Sequence, residues 1–215
     1  MNEILFFIQI FLIVGFALGA LRLGSSALTA WVAIQALVAN LFVLKQITLL
    51  GFSVTASDAF VVGSILGLNF LQEHFGKQEA FKATRICFFF MLFFVLASQI
   101  HLLYQPNSYD TSHAAFHDIL SLSPRLFIAS VSVFFFVQQF DVRFFSFLKH
   151  KFGHLSFAIR SAIALVISQF LDTILFSFAG LYGIVPSVAD IIILSFGVKL
   201  AVIFCLTPLV KLAKA

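Results

Sequence analysis

The sequence predicts an all-α, polytopic membrane helix bundle of about seven transmembrane spans, with the N-terminus outside and the C-terminus in the cytoplasm. Three observations carry this. The chain of 215 residues is 61% hydrophobic and only 10% charged, with a mean hydropathy of +1.09. A soluble domain is typically about 25% charged, and no water-soluble fold hides this much apolar surface. The apolar residues fall in runs close to the roughly 20 that a helix needs to cross the hydrocarbon core. The basic residues gather between alternate runs, as the positive-inside rule requires.

The runs give candidate spans at Ile4–Leu21, Ala27–Leu44, Ala59–Glu73, Ile86–Leu103, Leu126–Asp141, Ser161–Tyr182 and Ala189–Leu209. The first opens on Met-Asn-Glu with no Lys or Arg, the wrong polarity for a signal peptide, so it reads as a retained span. The third is short and holds Gly63, Gly67 and Asn69, which points to a tilted, broken or buried segment. With the N-terminus outside, the inner segments hold Arg22, Lys77, Lys82, Arg85, Arg143, Lys149, Lys151, Arg160, Lys211 and Lys214, ten of the 13 basic residues. Lys45 and Arg125 fall on the outer side and Lys199 inside the last span. Residues that break a rule locally mark function. No connection is long enough to house a separate domain, so residues 1–215 form one integral membrane domain.

A charge at mid-bilayer costs at least about 2.5–3.5 kcal/mol, so it persists where it is paired or faces a wet cavity. Asp172 and Lys199 each lie near the middle of the last two spans, which a short outer loop joins. They are expected to meet, as a salt bridge that fixes helix register or as a substrate or proton site at the midplane. Gln169 lies three residues before Asp172, so both share one helix face. Gln138 and Asp141 repeat that spacing, but next to Arg143 at the expected inner end of their span, which suggests a gate or anchor. Asn69 and Glu73 share a face of the third span, although Glu73 also suits a solvated helix end. Asn40 is placed by depth inside the second span, where a helix–helix hydrogen bond is the plain expectation. His101, His113 and His117 read as solvated outer residues, and Cys87 and Cys205 as small packing residues; no metal or cofactor is expected. No Gly-x-x-x-x-Gly-Lys-Ser/Thr loop is present, so the chain carries no ATPase of its own. Neither Gly-x-Ser-x-Gly nor His-Glu-x-x-His occurs, which argues against a membrane-embedded enzyme. A pure scaffold leaves the intramembrane Asp and Lys unexplained. The spread of basic residues between apolar runs gives no sign of nucleic-acid binding.

Taken together, these motifs resemble the queuosine precursor transporters, a vitamin-uptake-like family. The resemblance covers about residues 39–215, leaving 4–21 as an extra N-terminal span. It rests on "ANLFVLK" (Asn40, Lys45), "LNFLQEHFGKQEA" (Asn69, Glu73, Gly76, Ala80) and "SPRLFIAS" (Arg125, Ser130). It rests also on "QQFDVRFFSFLK", on "IRSAIALVISQFLDTILF" (Arg160, Ser168, Gln169, Asp172, Thr173) and on "VKLAVIFCLTPL" (Lys199, Thr207, Pro208). Asn69 stands where the family usually has Asp, and Val61-Val62 where it commonly has Phe-Pro. The resemblance implies a multi-pass protein of the bacterial inner membrane that takes up a 7-deazaguanine base: queuine, or its cyano or aminomethyl precursors. Another vitamin-like or nucleobase solute, with an external energising partner, is the alternative. Asp172, Gln169, Lys199, Asn69, Glu73, Asn40 and Thr173 are then expected to bind substrate, with Gln138, Asp141, Arg125, Arg160 and Lys45 as gates or anchors. A charge-assisted contact from Asp172 suits a guanine-like edge, where a ring N–H lies beside an exocyclic amine.

Overall fold

The computed structural model describes residues 1–43, 45–49, 51–121, 124–183 and 187–210. Leu44, Ser123, Lys211 and Lys214, on which sequence expectations fall, lie outside them. The chain is an all-α bundle: α1 (Asn2–Leu23), α2 (Ser25–Phe42), α3 (Asp58–His74), α4 (Lys77–Leu102), α5 (His113–Leu120), α6 (Pro124–Lys151), α7 (Phe157–Phe176) and α8 (Val188–Val210). A π-helical turn, Ser177–Leu181, extends α7. Six of these helices are long and apolar enough to cross a membrane. Their outer faces carry large exposed apolar side chains such as Phe11, Phe89, Phe93 and Phe204, as a lipid-facing surface does.

The third predicted span, α3, is the hub. It packs against α1, α2, α4, α6, α7 and α8, and nearly every residue from Asp58 to Gln72 is buried. The helix is continuous, so Gly63 and Gly67 do not break it. They let it approach α1 and α2 instead. A Cβ on Gly63 would lie 2.8 Å from Ile13 Cγ2, and one on Gly67 2.8 Å from Val32 Cγ2. With Ala59 one turn earlier, they form a stripe of small residues of the kind that brings membrane helices together. Ser64 adds a hydrogen bond across this seam, donating to the Val32 carbonyl at 3.2 Å.

At 17 residues α3 is about 26 Å long, short of the roughly 30 Å hydrocarbon core. The missing length is supplied by a feature the sequence reading did not anticipate, an antiparallel hairpin of β1 (Gln46–Leu49) and β2 (Phe52–Thr55). Gln46 pairs with Thr55 and Leu49 with Phe52, so the ladder satisfies backbone groups that a bare loop would leave open. The hairpin touches α1 and α8, and the Asn2 amide ties it to α1 through the Thr48 carbonyl at 2.8 Å.

Two further expectations change. The span expected to end at Asp141 continues ten residues further, to Lys151. Asp141 is fully buried, not at a watery end, while Arg143 is exposed. Two residues turn a helix by about 200°, so the two side chains leave on opposite faces. The segment around His113 and His117, whose histidines are expected to be solvated, forms the short helix α5, and none of its residues is buried.

Candidate functional site

Three polar layers follow one another along the bundle interior. The first lines a cavity of about 380 Å³ bounded by the hairpin, α2, α3, α6, α7, the π-helical turn and α8. Asp172, Thr173, Lys199 and Asn40 all face it, as do the rings of Phe134 and Phe176. Lys199 Nζ donates to Asp172 Oδ2 at 2.7 Å and to Thr173 Oγ1 at 3.1 Å. Asn40 anchors its own side chain by donating to the Ala36 carbonyl at 2.9 Å, and its amide oxygen accepts from Ser130 at 2.8 Å. The expected meeting of Asp172 and Lys199 is therefore present, on two adjacent helices. A volume of this size lies within the range of small-molecule sites, about 300–1,000 Å³. A cleft beside Ser98, of about 30 Å³, is far too small for an organic ligand.

The second layer lies beneath the cavity. Ser168 donates to Asp141 Oδ1 at 2.7 Å, which sets Asp141 one turn of α7 below Asp172. Gln138 reaches across to α3, donating to Ser64 at 3.2 Å, and to Cys87 Sγ of α4 at 3.7 Å. Gln169 is wholly buried here and forms no part of the cavity lining, although it shares its helix face with Asp172. Gln139 bonds Thr84 on the α4 side.

The third layer closes the far end. Glu73 receives Arg160 Nη2 on Oε1 at 2.8 Å and Lys149 Nζ near Oε2 at 3.1 Å. Lys149 also donates to the Glu73 carbonyl at 3.1 Å, and Asn69 donates to Ser161 at 3.1 Å. Asn69 and Glu73 do share a face, but it meets the start of α7, not the cavity. Arg125 and Lys45 sit at the opposite end. Arg125 clamps the π-helical turn by donating to the carbonyls of Ala179 at 3.0 Å and Tyr182 at 2.8 Å. Lys45 is exposed beside a smaller cavity of about 190 Å³.

The cavity also contains groups the sequence reading missed. Asp58, Ser57 and Thr55 come from the hairpin–α3 junction, and Ser195 from α8. Asp58 directly precedes a hydrophobic run too short to cross a membrane. A carboxylate opening such a run was the one available signal that the helix begins inside the protein.

The profile of the family described as "Putative vitamin uptake transporter" matches residues 55–213. The chain belongs to that family. It is a multi-pass membrane transporter, not an enzyme. The matched region begins at Thr55, so the family core holds α3 and every later helix of this transporter, including Asp58, Asp172 and Lys199. The chain is also 29% identical over 194 residues to a Bacillus subtilis (strain 168) protein named "Probable queuosine precursor transporter", covering 89% of this chain and 85% of that one. No solved structure matches the chain. Among the described residues no group of three His, Cys, Asp or Glu could hold a metal ion.

Proposed function

We propose that this transporter takes up a queuosine precursor, a 7-deazaguanine base, across the plasma membrane of a bacterium. The single observation that carries the reading is the cavity of about 380 Å³ with the Asp172–Lys199 ion pair on its wall. The relative's name supports the same class of substrate. A flat base can stack against Phe134 or Phe176, both of which line the cavity. Asp172 accepts from the ring N–H and the exocyclic amine together. Lys199, released from Asp172, donates to the ring carbonyl, and Thr173 serves the remaining polar edge. When the cavity is empty, Lys199 returns to Asp172, and neither charge is left alone in the bilayer.

Uptake implies a direction. Arg22, Lys77, Lys82, Lys149 and Lys151 all lie at the Glu73 end of the bundle, next to the α1–α2, α3–α4 and α6–α7 connections. The positive-inside rule makes that end cytoplasmic. The cavity then lies toward the outer side, and the Glu73–Arg160–Lys149 cluster seals the inner side. In this reading Arg160 belongs to the gate, and Gln138, Asp141 and Gln169 to the barrier that must part. The test is uptake of labelled queuine, aminomethyl and cyano bases by the purified protein in liposomes. Saturable uptake of at least one base is expected. No uptake of any of them by correctly inserted protein overturns the substrate class.

A further inference from the structure

The cavity carries more negative charge than a neutral base requires. Asp58, the first residue of α3, lines it together with Asp172 and Lys199. It is 6% exposed, and the hydroxyl-bearing residues Ser195 and Thr55 line the cavity with it. Lys199 attracts it and Asp172 repels it, but the Lys199 ammonium makes its close contact, 2.7 Å, with Asp172. Among the described residues no cation comes within the 4.0 Å of an ion pair with Asp58. The other nearby cations make no ion pair with Asp58. Arg125 is held by two carbonyls of the π-helical turn region. Lys45 is exposed on the adjoining smaller cavity, where Asp58 also shows. The lining therefore counts two carboxylates against one ammonium.

A carboxylate withdrawn from water needs a compensating cation, or the site disfavours its charge. Hydroxyls supply hydrogen bonds but no charge. In a binding cavity the missing cation can come with the ligand, as intramembrane carboxylates facing cavities commonly serve substrates. The geometry separates the two acids. Asp172 sits on α7 beside Thr173, whereas Asp58 sits on α3 beneath the hairpin, beside Ser195 of α8. A base read by Asp172 would therefore share its cavity with a second acid that has no ion-pair partner.

We propose that Asp58 selects a cationic substituent, so that the preferred substrate is a base bearing a protonated amine rather than a neutral one. Among the queuosine precursors this favours the aminomethyl form over the cyano form. The inference rests on the cavity being the base site. Asp58 is a specificity-determining residue, and Asp172 remains the reader of the base edge.

The experiment measures uptake of labelled aminomethyl and cyano bases side by side in proteoliposomes, for wild type, Asp58→Asn and Asp58→Glu. Wild type is expected to prefer the aminomethyl base. Asp58→Asn is expected to lower the aminomethyl-to-cyano uptake ratio at least about tenfold, the scale of one charge-assisted contact. Asp58→Glu, which keeps the charge, restores much of that ratio. An unchanged ratio in Asp58→Asn overturns the proposal, and so does a wild type that prefers the cyano base. Equal loss of both bases in Asp58→Asn, reversed by Glu, assigns Asp58 to general integrity of the site and overturns it as well. Wild type that takes up neither base refutes the reading of the cavity as a base site, an outcome distinct from an unchanged ratio.

Discussion

Replacing Asp172 by Asn removes one charge and almost no volume. Lys199 then keeps Thr173 Oγ1 at 3.1 Å but loses its 2.7 Å carboxylate partner. Both side chains are largely buried, 5% exposed for Lys199 and 12% for Asp172. Leaving one member of such a pair alone costs about 3–5 kcal/mol. The Asn oxygen still accepts one hydrogen bond, which places the loss near the lower figure, about 3 kcal/mol. Changing Lys199 to Gln in the same protein removes the stranded charge, so the double variant should recover most of that stability. Transport should behave differently. Two charge-assisted hydrogen bonds from Asp172 to a base edge contribute about 1.5–3 kcal/mol each. Asn keeps one neutral acceptor, so the change removes one of these bonds and the charge behind the other, and losing about 1.5–3 kcal/mol weakens binding about ten- to a hundredfold. The double variant is therefore expected to be stable and strongly impaired in uptake. Thermal unfolding in detergent reads the first quantity and liposome uptake of labelled base the second. Wild-type uptake by the double variant would make the pair a register-fixing salt bridge and refute its role in binding.

Two other consequences follow from the packing. Alanine at Gly63 must displace Ile13 Cγ2 and Gln35 Oε1, which a Cβ would meet at 2.8 and 2.9 Å. Overpacking of that kind costs about 1–3 kcal/mol, whereas alanine at Gly15, where a Cβ meets nothing within 4 Å, should leave the unfolding midpoint almost unchanged. Glu73→Gln loses its ion pairs to Arg160 and Lys149 at the far end of the bundle. A cysteine placed at Ser161, in a background with Cys87 and Cys205 replaced by Ala, should then react faster with an impermeant thiol reagent added from that end, and an unchanged rate would remove the cluster from the gate.

Much of the fold is legible because bilayer depth and hydropathy are tied together. Asp172 and Lys199 could be paired from sequence, since each lies near the centre of its span and a short outer connection joins the two. The same logic fails where a charge imitates a boundary. Arg143 made the sixth helix seem to end at Asp141, although the apolar residues that follow, Phe144, Phe145 and Leu148, carry it on to Lys151. Helical periodicity placed Asn69 and Glu73 on one face correctly, but nothing in the sequence says which neighbour that face meets. It meets Ser161 and Arg160. Asp58 was missed for a related reason. A hairpin inserted between helices moves the start of α3 inward, and hydropathy cannot separate a buried helix start from an interfacial loop.

The repeated Gln-x-x-Asp pattern gains a physical meaning from these depths. Asp172 faces the cavity with a cation beside it, whereas Asp141 lies one turn below with a hydroxyl as its donor. Gln138 and Gln169 are both wholly buried and lie outside the cavity lining. The two aspartates thus occupy neighbouring layers, Asp172 on the wall and Asp141 in the barrier beneath it, and both glutamines belong to the barrier. α7 connects them to the far end as well, since it carries Asp172 in the cavity, Ser168 on Asp141 and Arg160 on Glu73. The partners of those three residues lie on α8, α6 and α3 respectively. Any displacement of α7 against those helices strains all three contacts together. Of the three, the far-end contact is the most open to water, since Glu73 is 20% exposed against 12% for Asp172, and Lys149, its second partner, is 39% exposed. The Ser168–Asp141 contact, wholly buried, has no such access. On the proposed reading, a ligand that replaces Lys199 as the partner of Asp172 loosens α7 at the cavity and leaves the water-exchangeable cluster to yield at the opposite end.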